Sequence, residues 1–386
     1  MIQKLKTLNS CLLQIMNKKL FLLPCIAVVA IATVVGIKTF KSNADENGDS
    51  TIAGYDNGVL EQDSALPTFT DRIEVTALRR KDGEARLISP EKLIESNDCY
   101  YILDFNRVLQ YDKEGNFKDF IGEKGNGHGE YISIASFVVR NDTVKLLDSF
   151  KNSLLAYSVD GSFLYEKEAP EGILHNLKNA DYETGDVLFL SNYIFNEQND
   201  VYVRWNTLTD EVSVVANAIV RTEETKESVG PHSFSVFDGS VRYLLPFSNI
   251  LYNTQGDALQ FSTSQKVLGE SELKEIHDFS IMSYMTHQDC FSGFNSIFET
   301  ENYILLSFFN LEYTVVDKRT NECCRFNYQT DDDYLPLFNI LASSKDAFLG
   351  IANLEDNPNL KNKVKEYLHE SDAAYENVLI KYFTKI

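Results

Sequence analysis

Three glycines at alternate positions in the run GNGHGEY, Gly125 to Tyr131, raise the first chemical question, because glycine-rich loops can cradle phosphate groups. A dinucleotide fold needs GxGxxG opening a helix, and a P-loop needs its glycines to close on Lys-Ser or Lys-Thr. Here the spacing is GxGxG, no such pair follows, and the next residues, YISIASFVV, read as a strand. Neither phosphate motif is satisfied. The run is read instead as a chain-path feature, in which glycines permit tight positive-φ turns.

A second set of residues has the right types for a divalent cation. His175, His232, Asn176, Asn295 and Glu299 offer imidazole, carbonyl and carboxylate ligands from the strand-like stretches ILHNLKNA, HSFSVF and FNSIFE, with ISIASFVV as a further inner-strand candidate. Whether they meet is a matter of geometry. Asp331, Asp332 and Asp333 in QTDDDYLP lack the alternate ligands and the bidentate Glu of an EF-hand, so they read as a solvated loop, with a weak calcium site as the alternative. There is no GxSxG, no HExxH and no Cys in a protease context. No catalytic, cofactor-binding or metal-ligating residue is therefore assigned.

Of the six cysteines, Cys11 and Cys25 lie near the N-terminus, leaving Cys99, Cys290, Cys323 and Cys324, with no CxxC pair and no disulfide framework. Cys323 and Cys324 are adjacent in a strand pattern, so they point to opposite faces and read as packing residues.

Net charge is −21, yet the first 43 residues carry six Lys and no acid, leaving 30 basic against 57 acidic groups in the remainder. Such an acidic body repels phosphate backbones, which excludes nucleic acid as a partner. Leu20–Ile37, LFLLPCIAVVAIATVVGI, holds eighteen residues without a charge, just enough to cross a bilayer. Lys4, Lys6, Lys18 and Lys19 precede it and keep the N-terminus cytoplasmic. Residues 1–38 are thus expected to be a signal peptide or membrane anchor, with Met1 or Met16 as the start. The polar stretch 39–66 cannot pack a core and reads as a disordered linker.

The elements that would position any site come from a repeat. YILDFNRVLQYDKEGNFKDF (Tyr101–Phe120) and KLLDSFKNSLLAYSVDGSFLYE (Lys145–Glu166) share an apolar strand ending in Asp, a polar turn, a strand ending in Tyr, an aspartate-bearing turn and a third strand. The ends of the second strands, Asp104, Asp148, Ser191, Pro246, Ser307 and Ile351, are spaced 44, 43, 55, 61 and 44 residues apart. Four short strands recurring near 44 residues are the signature of propeller blades. Six anchors give an all-β, six-bladed β-propeller over 67–386, with insertions at Arg221–Pro231 and Ser262–Gln288. Asn357 as cap, Pro358 at the first position and Leu360, Val364, Tyr367 and Leu368 at helical spacing predict a short helix inside the last blade. That blade then lacks a strand, which Arg72–Leu78 supplies beside Asn377–Phe383.

GEKGNGHGEY, a strand and VKLLDSFKNSLLAYSVDGSF follow the order of an NHL repeat, and LDFNRVLQYDKEG places Asp104, Asn106 and Arg107 in the same positions. The body resembles the bacterial NHL-like or TolB-like six-bladed propellers, clearly in blades one and two and by rhythm in the rest. TVVGIKTFKSN resembles the leaders of small secreted NVEAL proteins, and Asp63–Ala65, Asp49–Thr51 and Asp142–Val144 resemble short O-glycosylation acceptors. With no nucleophile motif, no metal-ligand spacing and a glycine run explained by chain path, the expectation is a non-catalytic module that binds a protein or small-molecule ligand on a propeller face and needs no cofactor. The Lys-flanked apolar segment makes it exported, inner-membrane anchored or released, with the membrane link through that segment only. Some such propellers are metal-dependent lactonases or lyases, so a channel enzyme with a divalent cation is the alternative. The leader adds a third reading, a structural partner for small secreted peptides.

Overall fold

The computed structural model describes residues 36–38, 50–56 and most of 69–386; 80–85, 193–199, 218–229, 273–289, 309–311, 328–334, 369–374 and several shorter gaps lie outside the description. Within it, six antiparallel blades follow one another along the chain. Blade one runs Pro90–Glu95, Cys99–Asp104, Val108–Asp112 and Phe117–Ile121 from axis to rim. Blade two runs Ile134–Arg140, Thr143–Asp148, Ser153–Ser158 and Phe163–Glu168. Blade three runs Leu177–Thr184, Val187–Asn192, Asp200–Asn206 and Val212–Asn217. Blade four runs Phe234–Phe237, Ser240–Leu244, Ile250–Asn253 and Ala258–Thr263. Blade five runs Ser296–Glu299, Tyr303–Ser307, Glu312–Asp317 and Cys323–Asn327. Blade six runs Ile340–Ser343, Ala347–Asn353 and Asn377–Thr384, and Thr70–Leu78 completes it as the outermost strand. Inner strands of successive blades lie side by side, and that of blade six lies beside that of blade one, so the ring is closed.

Each sheet buries both faces, one against each neighbour. Buried apolar side chains among the described residues accordingly fall into six clusters, one per seam. Strand periodicity of two does the sorting. Leu188 and Leu190 face blade two, whereas Phe189 between them faces blade four. Cys323 and Cys324 likewise pack into opposite seams, as their adjacency predicts.

The helix spans Pro358–Tyr367 within blade six, with Leu360 and Val364 buried against the blade five–six seam. Asn357 does not cap it through its side chain; its Nδ2 donates instead to Asn353 O at 3.0 Å. Five of the six strand-end anchors fall in second strands, but blade four's ends at Leu244, before Pro246. A turn closed by Ser248 N and Leu245 O ends it there.

Within the expected linker, Ser50–Asp56 pairs parallel to Ala258–Thr263 on the rim of blade four, with Gly36–Lys38 antiparallel beyond it. Leu20–Ile37 lies outside the description except for its last two residues, which begin the Gly36–Lys38 strand. No described helix is long and apolar enough to cross a membrane.

Candidate functional site

The inner strand of blade one, PEKLIE, buries Leu93 in the blade six–one seam and sends its neighbour Lys92 elsewhere. The Lys92 ammonium, itself buried, donates to Ser136 Oγ of blade two at 3.2 Å, to Asn179 Oδ1 of blade three at 3.0 Å, and to Ala180 O. Ser136 Oγ also bonds Asn179 Oδ1 at 3.0 Å and accepts from Ala180 N at 3.2 Å. Asn179 passes the chain of bonds onward, donating from Nδ2 to Pro231 O at 2.8 Å, where the backbone enters blade four. One cation and two polar side chains thus tie four blades together at the axis.

A buried ammonium must be compensated. Burial pushes Lys92 down to about 8, and the carboxylate of Asp181, two residues beyond Asn179, opposes that fall. Asp181 is pushed up by the same burial, with Lys92 pulling it back. His232 belongs to this group as well. Burial and then the Lys92 charge push its imidazole down to about 4, against a hydrogen bond to the Glu91 backbone, so the ring is neutral at pH 7. Its ring lies 5.1 Å from that of Phe298, and Nε2 is buried without a hydrogen-bond partner.

The other sequence candidates do not join His232. His175 is exposed and Asn176 half-buried in the turn before the blade three inner strand. Asn295 packs on Gly230, where an added Cβ would fall 2.0 Å from Asn295 O. Glu299 ends the blade five inner strand and is fully buried; its Oε1 bonds Arg242 and, at 2.8 Å, Lys318 Nζ, while Oε2 has no partner. That triad closes the blade four–five seam. Among the described residues no group of three His, Cys, Asp or Glu side chains could hold a metal ion. Asp331, Asp332 and Asp333 lie outside the description.

Sequence reasoning missed Lys92, Ser136, Asn179 and Asp181. Asn179 and Asp181 stand two apart on one strand face, the first inside ILHNLKNA and the second directly after it, a signal that the histidine upstream masks.

The glycine run joins the rim of blade one to the axis of blade two, as expected, but by a different device at two of its glycines. Only Gly129 has positive φ, at 75°; Gly125 and Gly127 are not in that region. They make room for Glu130, whose carboxylate folds back to accept from Gly127 N at 2.7 Å and would sit 2.0 Å from a Cβ on Gly125. The loop is filled by its own side chain. Asp142–Val144 runs from the tight turn between the first two strands of blade two, where Asn141 and Asp142 have φ 46° and 57°, into the start of the second strand.

Asp104 and Asp148, the anchors of the repeat, are fully buried and bind backbone. Asp104 Oδ1 accepts from Ile88 N at 2.8 Å and Ser89 N at 2.6 Å, and Oδ2 from Arg107 Nη2 at 2.8 Å. Asp148 accepts from Ile132 N at 2.6 Å, Phe150 N at 2.8 Å and Lys151 N at 3.0 Å. Asn106 crosses to blade two, accepting from Ile134 N at 2.6 Å and donating to Ile132 O at 3.0 Å. Asn152 does the same toward blade three through Leu174 N and Ala169 O, at 3.1 and 2.9 Å. These residues fasten the chain where it turns inward. They are structural.

A protein of Bacteroides fragilis described as exported has a similar fold, with a TM-score of 0.61 and 20% sequence identity over 82% of this chain and 95% of that one. A member of the DUF4221 family from Bacteroides vulgatus aligns over 82% of this chain and 97% of its own, at 11% identity and a TM-score of 0.48. No curated protein matches the sequence. The family described as Domain of unknown function (DUF4934) matches residues 60–378.

Proposed function

The chain belongs to the DUF4934 family, and we propose that its body is an exported, non-catalytic propeller that binds a protein or small-molecule ligand at the cell envelope. The observation that carries this reading is the state of the axis. Lys92, the strongest candidate for chemistry there, has bonds to Ser136, Asn179 and Ala180, which match the three donors an ammonium owns. An amine committed to three partners holds blades together; it does not attack a substrate. Recognition then falls to the loops and faces, where propellers carry it.

The fold likeness to a protein described as exported supports the compartment, as do the Lys-flanked apolar run Leu20–Ile37 and the resemblance of TVVGIKTFKSN to NVEAL leaders. In blades one and two the Asp104, Asn106, Arg107, Asp148 and Asn152 set supports an NHL-like or TolB-like assignment. On this reading the N-terminal segment is the only link to the membrane, nucleic acid is not a partner, and no cofactor is needed.

Calorimetric titration of the full chain with Ca²⁺ and Zn²⁺ tests the proposal. The expected result is no stoichiometric heat. Tight uptake of one ion that survives mild chelation would replace it with the metal-dependent channel enzyme.

A further inference from the structure

Two lysines are buried among the described residues, Lys92 and Lys145, and they differ in what holds them. Lys92 has three partners at the axis. Among the described residues no hydrogen bond or ion pair reaches the Lys145 ammonium, which instead lies 5.4 Å from the centroid of the Tyr182 ring. A charge in that condition is costly to bury until something pairs with it. Its nitrogen is not sealed in as Ser191 Oγ is, so a molecule from solvent can reach it.

Lys145 stands on the second strand of blade two between Val138 and Ala156, on the face that turns toward blade three. Arg140 ends the first strand on the same face. It pairs with Thr143, which makes it a diagonal neighbour of Lys145 at about 7–8 Å. Its guanidinium carbon lies 5.1 Å from the centroid of the same Tyr182 ring. One of its N–H groups goes to Gly185 O, and no described carboxylate pairs with the others. Two like charges therefore lean on one tyrosine. Across Ala156, whose side chain is a single methyl, comes Tyr165, 44% exposed. Lys167 is close but committed, donating to Thr207 O at 2.6 Å and pairing with Asp210 at 2.7 Å. Burial pushes the Lys145 amine down, Asp186 pulls it back, and Arg140 and Lys167 push it down again.

Two cations without carboxylates, in a protein of net charge −21, make a site for an anion. The size of that anion's charge is limited. Asp186 and the acidic body repel a second negative charge, which favours a carboxylate over a doubly charged phosphate. A carboxylate also has two oxygens, one for the ammonium and one for the guanidinium N–H groups still free.

We infer that Arg140 and Lys145, beside Tyr182 at the seam of blades two and three, bind the carboxylate of a small organic acid. Tyr165 offers an aromatic surface to the rest of the ligand. The inference rests on the binding-module reading and gives it a ligand class and a place. The two fail separately, since metal uptake would remove that reading and leave these cations as they are, whereas a negative carboxylate result removes only this site.

The test is calorimetric titration of the full chain, at constant ionic strength, with D-glucuronate, benzoate, D-glucose and inorganic phosphate. At least one of the two carboxylates should give saturable heat, and which one does so tells a sugar acid from an aromatic acid. Glucose, which lacks only the charge of glucuronate, should give none. Binding should weaken about tenfold or more in Lys145→Met and in Arg140→Gln. Methionine keeps an unbranched stem in the seam while removing the charge. Should Lys145→Met fail to fold, Arg140→Gln, at an exposed side chain, carries the comparison. Equal heats in wild type and variants overturn the inference, as does phosphate binding tighter than both carboxylates. If Lys145→Met melts below wild type and neither carboxylate binds wild type, the Tyr182 contact is the whole purpose of the lysine, which also overturns it.

Discussion

Blades two and three stand side by side, and each incoming chain is held by an asparagine of the blade before, Asn106 or Asn152, yet the two blades differ at the end of the second strand. In blade two the second strand ends at Asp148, a buried carboxylate that takes three backbone N–H groups, and Asn106 reaches in from blade one to bond the incoming chain twice. In blade three the corresponding position is Ser191, whose hydroxyl is buried and bonded to nothing, followed by Asn192 with its own Oδ1 unpartnered. Beyond Asn152, the hold on blade three comes from the axis, through the Lys92, Ser136 and Asn179 network. A carboxylate at the turn and an ammonium at the axis thus do the same mechanical work. The position freed from fastening is the one where unsatisfied groups collect.

The contrast is broken most directly at its strongest point. Asp148→Ala strands three backbone donors that a buried carboxylate had satisfied, and charge-assisted bonds of this kind are the costly ones to lose. Chemical denaturation should show a loss of about 3–5 kcal/mol, and a loss below about 1 kcal/mol would mean the clasp is dispensable.

The axial side of the comparison is read through pH. Lys92 titrates at about 8 in the fold, below the ordinary value near 10.4 that the unfolded chain keeps. Between those values the unfolded state binds the extra proton, so stability rises with pH across that window and the burden of the buried charge is felt below it. Relative to Lys92→Met, wild type should gain on the order of 2 kcal/mol between pH 8 and 9.5 in urea titrations. A flat difference between the two proteins would remove the charged amine from the axis.

The smallest effect lies at Ser191. Since its oxygen has no partner in the fold, Ser191→Ala should change the unfolding free energy of the ligand-free protein by no more than about 0.5 kcal/mol, and toward greater stability if it moves. A loss comparable to that of Asp148→Ala would show that Ser191 fastens the end of its strand as Asp148 does.

How much of this the sequence discloses depends on repetition. Asp104 and Asp148 are legible because the same residue returns at the end of the same strand 44 residues later, and the closing strand is legible because blade six is one strand short. His232 is legible because histidine is rare in the chain. Lys92 is not, because a lysine in a strand ordinarily marks the wet face, and PEKLIE lacks the marks of the repeat. Its burial is decided by Ser136 and Asn179, which lie 44 and 87 residues away. Glu299 is found in sequence as a possible ligand but serves as a counter-ion, since only the fold brings Arg242 and Lys318 to it. Gly125 and Gly127 look like turn glycines from their spacing, whereas the side chain that needs their space is Glu130, inside the same loop.

The closure of the ring sets an order in time. Thr70–Leu78 can take its place only beside Asn377–Thr384, so the first strand of the propeller in chain order waits for the last. Until those final residues emerge, blade six has only Ile340–Ser343 and Ala347–Asn353, and the seam on either side of it has half a wall. Five blades can assemble before that strand arrives, but the circle cannot close, and the chain carries an open sheet edge until Asn377–Thr384 is in place. A chain that stops before Asn377 would keep that edge for its whole life, as a sticky, incomplete ring and a natural substrate for quality-control proteases.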